Sequence, residues 1–434
     1  MVKKYFLLVA VSFTACLVAC TSGTKRMDEK LIERIESDAK FSQVEEMAET
    51  LISSGLMAGN SYGEVWIRDL NSFIELASKV NGKEKTADAL LMFFKFQEED
   101  GNIPDGYIPK DQGNVGYKYR MSDLAPDYIS HKNTVETDQE TSLIQAVYKY
   151  IQATGDIDFL NKTIRGKTVI SRMDDALQYL LNDRFNTEYG LLWGATTIDW
   201  GDVQPEHVWG VELDSTSHPA IDIYDNAMFI IAIKNYLSLI TDKEKINYWK
   251  KIQDEISNNT RKHLWDDNEH KYKPHIYLEK GSPFPSSFDE DKIYYHGGTF
   301  TAIEAGLLTE EEIQISYQKM LENVEKSGAP SIGLTVYPPY PNGMFLNKAL
   351  SEYSYQNGGD WTWFGGRMIQ SLIEHEMYNE AYLSILPMLD LVIKHDDFYE
   401  WWTIDGKPGG SGNFRGAAGV LWKSIQMFKE RANW

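Results

Sequence analysis

The chain has 434 residues, 42% of them apolar and 25% charged. That is enough apolar material for a large core, and it excludes a disordered chain or a disulfide-stapled mini-fold. The 64 acidic against 43 basic side chains leave a net charge of −21, which repels a phosphate backbone, so no nucleic-acid partner is expected. The aromatic fraction of 13%, with 12 Trp and 25 Tyr, supplies either an aromatic-rich core or stacking faces for a flat, uncharged ligand.

The first element is an address. Lys3 and Lys4 precede an apolar run from Tyr5 to Ala19. The run is shorter than the ~20 residues of a membrane span and suits a signal h-region. It ends in Leu17-Val18-Ala19-Cys20, followed by Thr21-Ser22-Gly23, and resembles a bacterial lipobox. Residues 1–19 then form a lipoprotein signal, Cys20 carries the lipid, and residues 20–40 form a tether and lead-in. The protein is expected on a membrane by its lipid alone, at the periplasmic side of the outer membrane or the cell surface. The only cysteines are Cys16 and Cys20, so the mature domain has no thiol for catalysis or metal binding.

Residues 41–434 read as one domain. Period-3.6 patterning predicts helices over 41–55, 68–80, 84–98, 137–154, 171–183, 222–239, 243–263, 298–306, 310–327, 361–375, 379–395 and 414–431. Twelve helices without a fixed sequence repeat suit six helical hairpins closed into a ring, an all-α (α/α)6 barrel, over an α-solenoid. A monomer is the expectation.

Six clusters stand at or near helix starts or ends. They are Glu64-Val-Trp66-Ile-Arg68-Asp69, Glu136-Thr-Asp138-Gln-Glu140, Thr197-Ile-Asp199-Trp200-Gly201-Asp202, Asp222-Ile-Tyr224-Asp225-Asn226, Asn357-Gly-Gly-Asp360-Trp361-Thr-Trp363 and Tyr399-Glu400-Trp401-Trp402. In a ring of hairpins, alternate loops meet on one face and bring these side chains to one pocket. Paired carboxylates with indoles suit glycoside hydrolysis. One acid protonates the leaving oxygen, the other carboxylate activates water or attacks the sugar, and the rings stack on sugar faces. The competing reading is helix capping by Asp69, Asp138, Asp222 and Asp360.

The order Trp66-Ile-Arg68-Asp69, Glu136-Thr-Asp138, Thr197-Ile-Asp199-Trp200, Asn357-Gly358-Gly359-Asp360-Trp361 and Glu400-Trp401 … Gly409-Gly410-Ser411-Gly412-Asn413-Phe414 resembles the six-hairpin glycosidases, which include amylo-α-1,6-glucosidase-like, trehalase-like and processing α-glucosidase-like families. The resemblance runs from about residue 60 to near the C-terminus. It implies an inverting, exo-acting α-glycosidase in the glucosidase or mannosidase range, taking an oligosaccharide or glycan and needing no cofactor. It casts Asp199 as general acid, with Asp202 as its rival, and Glu400 as general base. It casts Trp66, Arg68 and Asp69 as terminal-sugar binders.

The substrate-binding set is completed by Glu136, Asp138, Trp200, Tyr224, Asp225, His296, Tyr337, Asn357, Asp360, Trp361, Trp401 and Asn413. No metal is assigned: so many acids leave a calcium site open, but no EF-hand spacing occurs. Gly358-Gly359 is not a phosphate loop, because no Gly-x-x-x-x-Gly-Lys-Ser/Thr is present. The acidic run Asp289-Glu290-Asp291 reads as solvated surface. Two other readings compete: a glycan-binding lipoprotein without activity, and another (α/α) carbohydrate enzyme such as a polysaccharide lyase or an epimerase. A lyase wants basic residues around a uronate and an epimerase a histidine pair, whereas the clusters here are acidic.

Overall fold

The computed structural model describes residues 26–113 and 118–432; the signal and Cys20 lie outside the described residues. Thirteen α-helices are described: α1 Glu29–Ser37, α2 Ala39–Ser53, α3 Ile67–Asn81, α4 Lys83–Phe96, α5 Asp138–Thr154, α6 Val169–Asp183, α7 Ile223–Leu237, α8 Lys243–Leu264, α9 His296–Glu304, α10 Glu310–Ser327, α11 Thr362–Glu374, α12 Tyr378–His395 and α13 Arg415–Ala432. α2 to α13 are the twelve helices expected from periodicity. α1 is additional and falls within the lead-in. It forms because Asp28 caps it, accepting from the Lys30 N–H at 2.8 Å, and it buries Leu31 and Ile35.

The helices close into the expected (α/α)6 ring. α3, α5, α7, α9, α11 and α13 pack each against the next, and α13 returns to α3. The even-numbered helices α2 to α12 lie against this inner circle. Composition sorts the layers. α7, for instance, is apolar nearly all round and almost wholly buried, whereas α8 buries only Trp249, Ile256, Thr260 and Leu264. A helix enclosed on all sides has no solvent face to keep polar.

Strands are confined to the loops and span two to four residues each among the described residues. The largest sheet joins Val65–Trp66, Gly106–Pro109, Tyr128–His131 and Arg120–Met121 in that spatial order, all antiparallel. It ties the α2–α3 loop to the α4–α5 loop.

A second, smaller core lies under the loops, around Ile198, Val203, Phe284, Ile293, Tyr295, Val336, Tyr340, Phe345 and Leu350. Its polar centre overturns the surface reading of Glu290. The Glu290 carboxylate accepts from the Tyr277 hydroxyl at 2.6 Å and the Tyr340 hydroxyl at 2.5 Å, with His275 Nδ1 at 3.0 Å. Burial would raise its pKa, but His275 and the two phenols outweigh that and hold it below the usual carboxylate value.

Candidate active site

Helix ends explain where the functional side chains collect. Four outer helices are capped by dedicated side chains: Asp38 for α2, Thr168 for α6, Asp242 for α8 and Thr309 for α10. The inner helices α3, α5, α9 and α11 have no cap side chain of their own. Their first N–H groups and the positive ends of their dipoles are left to serve other groups. The N-terminal ends of α3, α5, α11 and α13 meet around a cavity of about 620 Å³. Nine of the residues expected from sequence line it: Trp66, Arg68, Asp69, Glu136, Trp200, Asp202, Trp361, Glu400 and Trp401.

Glu400 stands between the last two ring helices. The Tyr62 hydroxyl lies 3.0 and 3.1 Å from its two oxygens, and the Ser411 N–H donates to Oε2 at 2.9 Å. Gly410 has φ +68°, and a Cβ there would lie 2.3 Å from Oε2, so only glycine lets the backbone wrap this carboxylate. Burial raises the Glu400 pKa to about 7; the bonds from Ser411 and Tyr62 oppose that rise, and the charge of Asp202 adds a little to it.

On the α3 side, Arg68 Nη1 donates to Asp105 at 2.6 Å and to Asp138 at 3.3 Å. Asp138 also accepts from the Tyr224 hydroxyl at 3.0 Å. Asp105 is fixed through its neighbour Ile103, whose N–H donates to Glu140 and whose carbonyl accepts from Lys132. Asp69 is raised to about 7, first by burial, with Arg68 opposing and Glu400 adding.

Glu136 is buried, and neither of its oxygens has a hydrogen-bond partner among the described residues. Burial, then the charge of Asp138, pushes its pKa well above the ordinary value. Trp200 Nε1, Trp363 Nε1 and Gln356 Oε1 are likewise buried and unpartnered on this lining. Buried polar atoms are normally paired. Four residues that border the cavity therefore carry buried polar atoms that no described residue satisfies.

The structure separates the two candidate acids. Asp199 does not line the cavity. Its carboxylate turns to the start of α9, where the Gly298 N–H lies 2.8 and 3.0 Å from its oxygens. Cβ atoms on Gly297 and Gly298 would fall within 2.8 Å of those oxygens, which accounts for the His296-Gly297-Gly298 motif. Burial raises Asp199 to about 8 against the Gly298 and Gly297 bonds. Asp202 faces the cavity, and Gln356 Nε2 donates to it at 3.1 Å. Between them Trp200 packs edge-on against Trp361 at 4.6 Å and against Trp363 at 5.5 Å. The Asp-Trp-Gly-Asp turn thus sends one carboxylate into the frame and the other into the cavity.

The other expected binders lie behind the lining. Asp222 caps α7, accepting from Asp225 N–H at 2.8 Å, so the capping reading holds for it. Asp225 accepts from the Thr137 N–H at 3.1 Å, and Asp360 from both the N–H and the hydroxyl of Ser331. Asn357 clamps Tyr340 through both its amide atoms. His296 is buried against Asn323 at 3.1 Å, and burial lowers its pKa to about 3. Tyr337 pairs with Tyr294 in a two-stranded ladder, and Asn413 is exposed, its N–H donating to Asp397. Tyr224 and Asp138 act through Arg68.

Sequence reasoning missed Tyr62, Asp105, Trp209, Tyr355 and Gln356. Each lies in a loop without periodicity. Asp105, in Asn102-Ile-Pro-Asp105-Gly, reads as an ordinary turn aspartate.

A scan against protein-family models finds no match, and neither does a search of curated proteins. Among solved structures, a GH63 mannosylglycerate hydrolase from Thermus thermophilus, in complex with glucose, is similar at 14% identity and TM-score 0.62, over 88% of this chain and 99% of that one. A rhamnosidase from Klebsiella oxytoca with rhamnose bound is 13% identical at TM-score 0.59, over 90% of this chain and 64% of that one. A GH78 family rhamnosidase of Bacillus sp. GL1 is 13% identical at TM-score 0.56, over 89% and 34%. At these identities the likeness establishes the fold.

Proposed function

We propose that the protein is a glycoside hydrolase that removes a neutral terminal sugar from an α-linked glycan with inversion. Asp202 serves as general acid and Glu400 as general base. The observation that carries this reading is the cavity itself. Asp202 and Glu400, from separate loops, face one space that Asp69, Glu136 and six indoles also line. Similar solved structures include hydrolases with glucose or rhamnose bound, which supports a sugar ligand.

Asp202 gives its proton to the glycosidic oxygen as the bond to the anomeric carbon breaks. Glu400 takes a proton from the water that attacks that carbon from the other face. Tyr62 and the Ser411 N–H favour the ionised form of Glu400, which suits a base. Asp202 accepts from Gln356 and stands on a loop separate from that of Glu400. Asp69 lines the same space and is placed to accept from ring hydroxyls, while Glu136 borders it with both oxygens buried.

The lining argues against the lyase and epimerase readings. Among the described residues its cations are Arg68, already committed to two aspartates, and Lys348, and no histidine is on it. Lys348 is thus the one uncommitted cation among the described lining residues that could pair with the carboxylate of an anionic sugar. NMR of products released from α-linked gluco-, manno- and rhamno-disaccharides tests the proposal. Turnover is expected with the β-anomer appearing first, and a Glu400→Gln protein should bind without turnover. First appearance of the α-anomer would refute inversion, equal turnover by wild type and Glu400→Gln would refute the base role, and binding without turnover by the wild type would leave a binding protein. The lipobox-like Leu17-Val18-Ala19-Cys20 supports a membrane-anchored location outside the cytoplasm.

A further inference from the structure

The loop that carries Asp202 continues to the mouth of the cavity. Val208 and Trp209 stand at its tip, and Trp209, Gly210 and Val211 line the opening. Trp209 is 66% exposed although it borders the site, and Val208 and Leu346 are nearly as open. Leu346 belongs to the facing loop, whose Lys348 and Ala349 also line the mouth. The two loops are joined, since the Leu346 N–H donates to the Pro205 carbonyl at 3.0 Å.

The tip is held on both flanks. Gln204 Nε2 reaches His207 Nδ1 at 2.9 Å and the Glu212 carbonyl at 3.1 Å. The Thr134 N–H donates to the Val211 carbonyl at 2.7 Å, and the Thr134 hydroxyl accepts from the Leu213 N–H at 2.7 Å. The indole therefore stands in water on an anchored turn. A large apolar side chain kept in water beside a cavity marks a contact surface.

Its position names the ligand. A general acid lies on the side from which the leaving group departs, and Trp209 follows Asp202 by seven residues on the same loop. The cavity of about 620 Å³ reaches this lip from the deep carboxylates. We propose that Trp209, flanked by Val208 and Leu346, forms a leaving-group subsite that stacks on the C–H face of a second pyranose ring, with Lys348 beside it as a donor to a ring hydroxyl. The preferred substrate is then a glycan of at least two sugars, in which the released portion begins with a pyranose. This rests on the hydrolase reading with Asp202 as acid.

The test compares α-glucosyl, α-mannosyl and α-rhamnosyl fluorides, whose leaving group is one atom, with the matching α-linked disaccharides. In Trp209→Ala the ratio of kcat/KM on the disaccharide to that on the fluoride should fall by roughly tenfold, mainly through KM. Trp209→Tyr, which keeps an aromatic face, should restore most of the ratio. A ratio within about twofold of wild type in Trp209→Ala, at normal turnover of both probes, would overturn the subsite and leave the hydrolase standing. A wild type inactive on every fluoride and disaccharide would overturn the hydrolase reading and the subsite with it.

Discussion

Replacing Tyr62 by Phe removes one oxygen and keeps the ring, so it isolates the hydroxyl that sits 3.0 and 3.1 Å from the oxygens of Glu400. The edge-on contact of the ring with Trp66, 6.3 Å between centroids, survives the change. Glu400 stands near pH 7 because burial disfavours its charge while Tyr62 and the Ser411 N–H support it. Taking one supporter away must raise that value further. A hydrogen bond to a charged group is worth ~1.5–3 kcal/mol net, and one pKa unit is about 1.4 kcal/mol, so the lower end of that range gives about one pH unit. A base must be ionised to act, hence the acid limb of the kcat/KM profile should move up by that amount. At pH 7 the ionised fraction falls from about a half to about a tenth, which is roughly a fivefold loss of rate, shrinking to almost none above pH 9. The assay is kcat/KM between pH 5 and 9.5 on whichever α-disaccharide is cleaved. A loss of the same size at every pH, with the limb unmoved, would show that Tyr62 does not tune Glu400.

Other outcomes follow from the same contacts. Asp202→Asn should lose ~10²–10⁴-fold on a disaccharide and recover much of it on a dinitrophenyl glycoside, whose leaving group departs without a proton. Asp199→Asn, weakening a buried anchor of α9, should slow both substrates alike and lower the melting temperature; selective recovery there would return the acid role to Asp199. Asp69, Asp105, Asp360 and Glu400 are raised to about 7 and Asp199 to about 8, each first by burial. Folded values above unfolded ones mean that stability is fully present below about pH 4 for these groups and is lost as pH rises through 7 to 8. Calorimetry should therefore find the melting temperature falling from about pH 4 to about 7 and levelling off near 8, and a rise over that window would contradict these burials. Cys20→Ser should move the protein from the membrane fraction to the soluble one on cell fractionation, and retention on the membrane would refute lipidation.

Hairpin periodicity made the ring legible, because a helix wedged between two layers repeats its apolar face every 3.6 residues whatever its neighbours. α1 escaped because it is a single short helix with two buried anchors in a polar stretch. The cavity was legible where a carboxylate and an indole were adjacent or nearly so, as in Trp66-Ile-Arg68-Asp69 and Glu400-Trp401. It was not legible where orientation decides. Asp199 and Asp202 are three residues apart with the same chemistry, and the positive φ of 58° at Asp199 is what directs them apart. Tyr62 is 338 residues from the carboxylate it serves, and no local pattern encodes that distance.

That distance bears on how the molecule is made. The ring shuts where the α2–α3 loop meets the end of the chain: the Asn60 N–H donates to the Gly412 carbonyl, the Arg415 N–H to the Ala58 carbonyl, and the Tyr62 hydroxyl to Glu400. Synthesis runs from the N-terminus, so the α12–α13 hairpin emerges after the other five and carries Glu400 with it. Until it docks, Tyr62 has no carboxylate to support and α3 has no α13 behind it. A chain clipped before residue 400 thus lacks this carboxylate and the closing contacts together, and both are gained in one step when the α12–α13 hairpin docks.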